Sequence, residues 1–303
     1  MNSAAERLAL GLQALGLELE SSRQQKLLAH LDLISRWNRV YNLTAVRDPA
    51  EMLTHHLLDS LAIVGPLARH VAACAEAQGL GAARAEQVPD DAGETGAGVA
   101  TAYPLGESSE LLDRSTRGMQ AGVLGGVSPE GSTGVGVGAT DASASAHLQP
   151  PSRAPFQVLD VGSGAGLPGV TLAIALTGEP PVHVTCVDAV LKKVGFIRQV
   201  AGELGLRNLS ALHGRIEDLR CPPANVITCR AFASLADIVR LTAAHLAPGG
   251  VWMVMKGQNP ADEMKALPAE IEVFHVEPLQ VPFLDAQRCL VWMRPRTQSP
   301  PRS

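Results

Sequence analysis

The sequence predicts an α/β protein: a doubly wound, mostly parallel sheet, preceded by a small helical domain and separated from it by a long low-complexity insertion. Three observations carry this prediction. Between residues 156 and 296, short β-rich runs alternate with helical periodicity, the pattern of a parallel sheet covered by helices on both faces. Residues 1–73 carry helical spacing. Between the two, residues 74–155 hold 14 of the chain's 29 glycines and lack the apolar periodicity that a core requires.

Taken in order, Ser22 to Val40 sets Leu27, Leu28, Leu31, Ile34 and Trp37 at three- and four-residue spacings, one face of an amphipathic helix. Asp48-Pro49-Ala50-Glu51 then offers an N-cap, a proline at the first helical position and an acid in the first turn, so a second helix carries Met52, His56 and Leu57. Residues 74–155 are expected to be a disordered insertion, the alternative being a short helix around Glu110 to Arg117. Beyond it, FQVLDV, HVTCVD, LSALHG, ANVITCR and VWMVMK read as strands, with TLAIAL, KKVGFIRQVAGELG and LADIVRLTAAHL as helices between them. The sheet domain is expected over 156–296, followed by a tail at 297–303.

A chain of 303 residues with 46% hydrophobic content fills a sizeable core. No run of the roughly 18 to 20 apolar residues that span a bilayer is apparent, and acidic Glu6 stands where a basic leader would begin. A cytoplasmic protein with no membrane association is expected. Five cysteines lie far apart without CxxC spacing, so neither a disulfide framework nor a metal site is expected. The net charge of −5 is uneven: residues 74–155, with 4 basic and 10 acidic side chains, carry −6, and the remainder sums to +1. A polyanionic partner is therefore not excluded.

The richest stretch is VLDVGSGAGLPG, Val158 to Gly169. Glycines at a strand-to-helix turn let the backbone pass close under a ligand. Gly164 to Gly169 also satisfies the dinucleotide-binding pattern, with Asp188 at the end of the second strand where a ribose-binding acid would sit. Asp160 separates the readings. A carboxylate two positions before the first glycine repels a pyrophosphate and favours a cationic sulfonium with an ammonium group, as in S-adenosyl-L-methionine. Asp188 then accepts the ribose hydroxyls, and Glu217 falls where an adenine would lie. A solvated acid at a helix start is the plain alternative for Glu217. With the Pro-Gly-Gly turn before VWMVMK, this set resembles the class I S-adenosylmethionine-dependent methyltransferases, whose fold is Rossmann-like.

Residues outside that frame narrow the resemblance. WNRVYNLTAVRDPAEMLTHHLLDSLAI, KKVGFIRQV, CRAFASL, KGQNPADE and LQVPFLDAQRCLV, together with the glycine stretch, are similar to the bacterial small-subunit ribosomal RNA guanine-N7 methyltransferase G family, also called glucose-inhibited division protein B, over about 8–73 and 156–294. The insertion departs from it. The resemblance implies methylation of N7 of a guanine in the decoding-region loop of 16S ribosomal RNA, S-adenosyl-L-methionine as cofactor, and cofactor contacts at Gly162, Leu167, Ile216, Glu217 and Arg230. The partner implied is 16S ribosomal RNA or the small subunit, with no metal, and a monomer is expected.

Guanine N7 carries a lone pair and no proton, so positioning outweighs general-base catalysis. Asn42, His56, Arg230 and Lys256 are the candidates to hold the base or its phosphates. Three of them have a structural alternative: Asn42 a helix-terminal turn residue, His56 a satisfied core histidine, Arg230 an ion pair with Asp160 or Asp188. Lys192, Lys193, Arg198, Arg36 and Arg39 would contact phosphates or form solvated helix faces. A methyltransferase of proteins or small molecules, a nicotinamide-dependent oxidoreductase and a non-catalytic binding module remain as alternatives.

Overall fold

A computed structural model describes residues 3–85, 154–178, 180–230, 232–257 and 260–296. Residues 86–153 of the insertion, with the alternative short helix around Glu110 to Arg117, and the tail at 297–303 lie outside the described residues. Helix α1 (Ala4–Ala14) was not anticipated, although its start signal is in the sequence. Ser3 Oγ accepts from the Glu6 amide at 3.2 Å, and Glu6 Oε2 accepts from the Ser3 amide at 2.8 Å, a reciprocal cap that satisfies two orphan donors. Helix α2 (Ser21–Tyr41) buries the expected face. Asp48 caps α3 (Pro49–Met52) through the amides of Ala50 and Glu51.

From Leu53 to Leu58 the chain takes a π-helical register, returns to α over α4 (Asp59–Leu61), and continues as α5 (Val64–Ala85). Helix α5 thus runs past the compositional boundary at residue 73. Contrary to the sequence expectation, Pro49–Ala77 is long and apolar enough to cross a membrane by length and composition. Its apolar side chains, among them Leu53, Leu57, Leu61 and Leu67, are instead buried in the core.

Among the described residues seven strands form one sheet: β1 (Phe156–Val161), β2 (Val182–Asp188), β3 (Leu209–His213), β4 (Ala224–Arg230), β5 (Leu246–Lys256), β6 (Ile271–Leu279) and β7 (Arg288–Pro295), in the order β3-β2-β1-β4-β5-β7-β6. The first five are parallel; β7 runs antiparallel to both neighbours. Strands β1 to β5 read as largely apolar runs because both faces are covered. Val158, Val226 and Met253 join the core beneath α1 to α7, and Leu159, Ile227 and Trp252 the core beneath α8 (Leu235–Thr242), the two-residue alternation of a strand. On the first face lie α6 (Gly169–Ala175) and α7 (Leu191–Glu203). Residues 3–85 thereby share the first of these two cores with the sheet. Strand order reverses between β1 and β4, and the crevice outside the carboxyl ends at such a point is where ligands bind in sheets of this kind.

Candidate active site

The turn after β1 is shaped by what surrounds it. Gly162 has φ +71°, and a Cβ there would strike the ring of Phe232, which lies over it from the β4 side. At Gly169 the constraint is space alone, because a Cβ would meet Cys186 Sγ and Asp160 Oδ2. Register explains this crowding, since Asp160 and Cys186 are partners across β1 and β2.

Asp160 is fully buried. Its Oδ2 accepts from the Gly169 amide at 2.9 Å, while Oδ1 has no hydrogen-bond partner among the described residues. Burial raises its carboxyl to about 6, against the opposing hydrogen bonds and the field of Arg230. An unpartnered oxygen on a buried carboxylate fits a cationic ligand at this turn. Asp188, also buried, accepts from the Gly164 amide at 2.9 Å and the Val190 amide at 2.8 Å, so one carboxylate ties the glycine turn to the start of α7. Leu167 is buried beneath the turn. Ile216 and Glu217 occupy a 3-10 turn after β3, with Ile216 buried and Glu217 exposed, 3.9 Å from Arg215.

At the end of β4, Arg230 does not pair with Asp160 or Asp188, as the structural alternative held. Its Nη1 donates to His55 O at 2.8 Å and to Asp59 Oδ2 at 3.0 Å. Asp59 Oδ1 in turn accepts from Arg288 Nε at 2.9 Å. One buried carboxylate of the N-terminal region therefore joins two cations from two strands of the sheet, leaving a net positive cluster. Beside it, His56 Nε2 is 2.7 Å from Thr44 Oγ1, and burial followed by the charge of Arg230 lowers its imidazole to about 4. The ring is neutral at neutral pH.

The other candidates lie differently. Asn42 is exposed and caps the end of α2 with φ +48°, the helix-terminal role; its Oδ1 accepts from Arg47 at 3.3 Å. Lys256 donates to Ala233 O at 2.9 Å and to Glu263 Oε2 at 2.7 Å, so its charge is met within the protein and it braces the loop after β4. Arg198, expected at RNA phosphates, gives Nε and Nη2 to Ala211 O. Arg36, Arg39 and Lys192 are exposed, and Lys193 lies 3.7 Å from Asp188. Sequence reasoning assigned no role to Asp59, Phe232 and Arg288, although each stood in a quoted motif. Their partners are too distant in the chain to be read locally.

Comparison with known proteins gives the arrangement a family. A family model described as rRNA small subunit methyltransferase G matches residues 23–76 and 141–291. The chain is 47% identical to the ribosomal RNA small subunit methyltransferase G of Methylibium petroleiphilum over 289 residues, covering 95% of this chain and 93% of that protein. It is 42% identical to that of Leptothrix cholodnii over 297 residues, 98% of each chain. Both alignments span the segment that the family model leaves unmatched. The match runs over nearly the whole length of both relatives, and the chain belongs to the rRNA small subunit methyltransferase G family.

Proposed function

We propose that this S-adenosylmethionine-dependent small-subunit rRNA methyltransferase modifies N7 of a guanine in the decoding-region loop of 16S rRNA, using the crevice at the carboxyl ends of β1, β2 and β4. The observation that carries the reading is Asp160, a buried carboxylate with one unpartnered oxygen at the foot of a glycine turn. When bound, S-adenosylmethionine supplies the electrophilic methyl group. Gly162 and Leu167 would bound its seat, Asp160 would meet its positive charge and Asp188 its ribose. Ile216 and Glu217 would lie beside its adenine.

No general base is required, because guanine N7 has no proton to lose. What the chain must supply is alignment and an environment free of competing water. Among the described residues both hydrogen bonds given by Arg230 leave from Nη1, so its other N–H groups suit the base or a phosphate. His56, neutral and held by Thr44, orders the helix turn that receives Arg230. Lys256 acts through the loop carrying Phe232, and Asn42 through the end of α2. A base already unstacked in a loop avoids most of the cost of flipping. We further expect a monomer acting in the cytoplasm without a metal. The test is genetic: a strain lacking its own enzyme should regain methylation of one small-subunit guanine when it carries this chain, and a strain that stays unmethylated would contradict the reading.

A further inference from the structure

At the same end of the sheet as the crevice, β6 ends at Leu279 opposite Arg288, the first residue of β7. The connection between these strands and Met264 of α9 (Ala261–Lys265) enclose a cleft of about 950 Å³. The motif LQVPFLDAQRCLV runs through this connection, and nothing in the cofactor seat uses it. The walls are aliphatic, chiefly Val276, Pro278, Val281 and Leu284. The polar groups are few and planar: the amides of Gln280 and Gln287, the carboxylate of Asp285 and the guanidinium of Arg288.

Aliphatic walls with a sparse set of planar donors and acceptors are the chemistry of a site for a flat ring with polar edges. The ring's faces bury against hydrocarbon while its edge meets amides or a carboxylate, and a guanidinium suits a phosphate attached to it. An aliphatic ligand would leave these polar groups without partners as it covered them, at a cost. Arg288 also links the cleft to the crevice, because it lines the one and donates to Asp59, whose other oxygen holds Arg230.

We infer that this cleft receives a second unpaired nucleotide of the rRNA segment whose target base enters the crevice. The inference rests on the rRNA reading above. Two bases held at two sites fix the direction and register of a single strand, which one base cannot do.

The test uses the full chain and two variants outside the crevice. Leu284→Trp fills the cleft, and Asp285→Ala/Gln287→Ala removes exposed edge groups. Methyl transfer is measured on small ribosomal subunits from cells lacking the modification, and S-adenosylhomocysteine affinity by calorimetry. Both variants should raise KM for subunits by about tenfold or more, with kcat and cofactor affinity within about twofold of the parent, and Leu284→Met should behave as the parent. Unchanged KM in both variants, as a peptide or a second copy in the cleft would give, overturns the inference. So does a loss of cofactor affinity in parallel with the rise in KM. A parent that leaves subunits unmethylated contradicts the functional reading itself, whereas an active parent with unaffected variants contradicts the inference alone.

Discussion

At the foot of the glycine turn, burial holds the Asp160 carboxyl at about 6, so this residue changes charge within an accessible pH range. The sign of the effect differs for stability and for binding. A raised carboxyl contributes stability to the ligand-free protein that is present below its ordinary value of 3.8 and lost as pH rises through about 6. A cationic ligand prefers the ionised form, so its affinity is gained over the same rise. S-adenosylhomocysteine, through its ammonium group, should bind about three- to tenfold more weakly at about pH 5 than at about pH 7.5, and Asp160→Asn should flatten this profile. Equal affinity at both pH values by calorimetry would contradict the role given to Asp160. The histidines act oppositely on stability. His30 and His56 are both lowered to about 4, chiefly by burial, so their contribution is present above 6.5 and lost as pH falls through about 4.

Asp188 is tested separately, because it holds two amides of the site. Asp188→Ala should weaken S-adenosylhomocysteine binding by about ten- to a hundredfold, the consequence of losing charge-assisted hydrogen bonds. Glu217→Ala should weaken it less, since that side chain is exposed. Unchanged affinity in both variants would remove these acids from the cofactor site.

Among the elements, the π-helical stretch Leu53–Leu58 is the joint between the N-terminal helices and the sheet. It presents His55 O to Arg230, and one turn later Asp59 reaches both Arg230 and Arg288. A π register recurs at functional sites because it re-aims the residues that follow it. With Asp59 4% exposed and the arginines 21% and 22%, removing the shared acid strands two cations in partly buried positions. Asp59→Asn should therefore destabilise the fold by about 2 to 4 kcal/mol, toward the lower end of the cost of breaking a buried pair. Urea unfolding measures this, and a change below about 1 kcal/mol would show that the joint is held by packing alone.

Legibility from sequence followed how local each signal was. Strands β1 to β5 were readable because parallel strands buried on both faces are short unbroken apolar runs, as in ANVITCR and VWMVMK. Strand β6, IEVFHVEPL, lies at the sheet edge with much of its length half-exposed, so neither alternation nor an apolar run marks it. Helix α1 carries a short local signal, Ser3 and Glu6 three apart, with no proline to sharpen it. The glycine turn and Asp160 were legible because one short stretch contains them, and Asp188 because it closes the next strand. Asp59 was not, since its partners stand 171 and 229 positions away.

For the whole molecule, the question is what residues between α5 and β1 add to a fold that closes without them. The family model matches on both sides and leaves 77–140 unmatched, and the segment from 74 to 155 carries a net charge of −6. Closing a flexible loop costs free energy only logarithmically in its length, so a long connection adds a few kcal/mol at most. Replacing residues 87–150 with a short Gly/Ser linker should leave S-adenosylhomocysteine affinity and methyl transfer within about threefold of the parent. A shortened chain that binds cofactor normally but loses RNA methylation by a hundredfold would make the segment part of RNA recognition.

The most direct test of the account is to supply small ribosomal subunits lacking the modification with tritium-labelled S-adenosylmethionine and the purified chain, then to map the label on the rRNA. Borohydride reduction and aniline treatment break the strand at N7-methylguanine, so position and atom are read together. Label on one guanine of the decoding-region loop, with cleavage at that nucleotide, is the predicted result. Label at a different nucleotide, or on that guanine without cleavage, would contradict it.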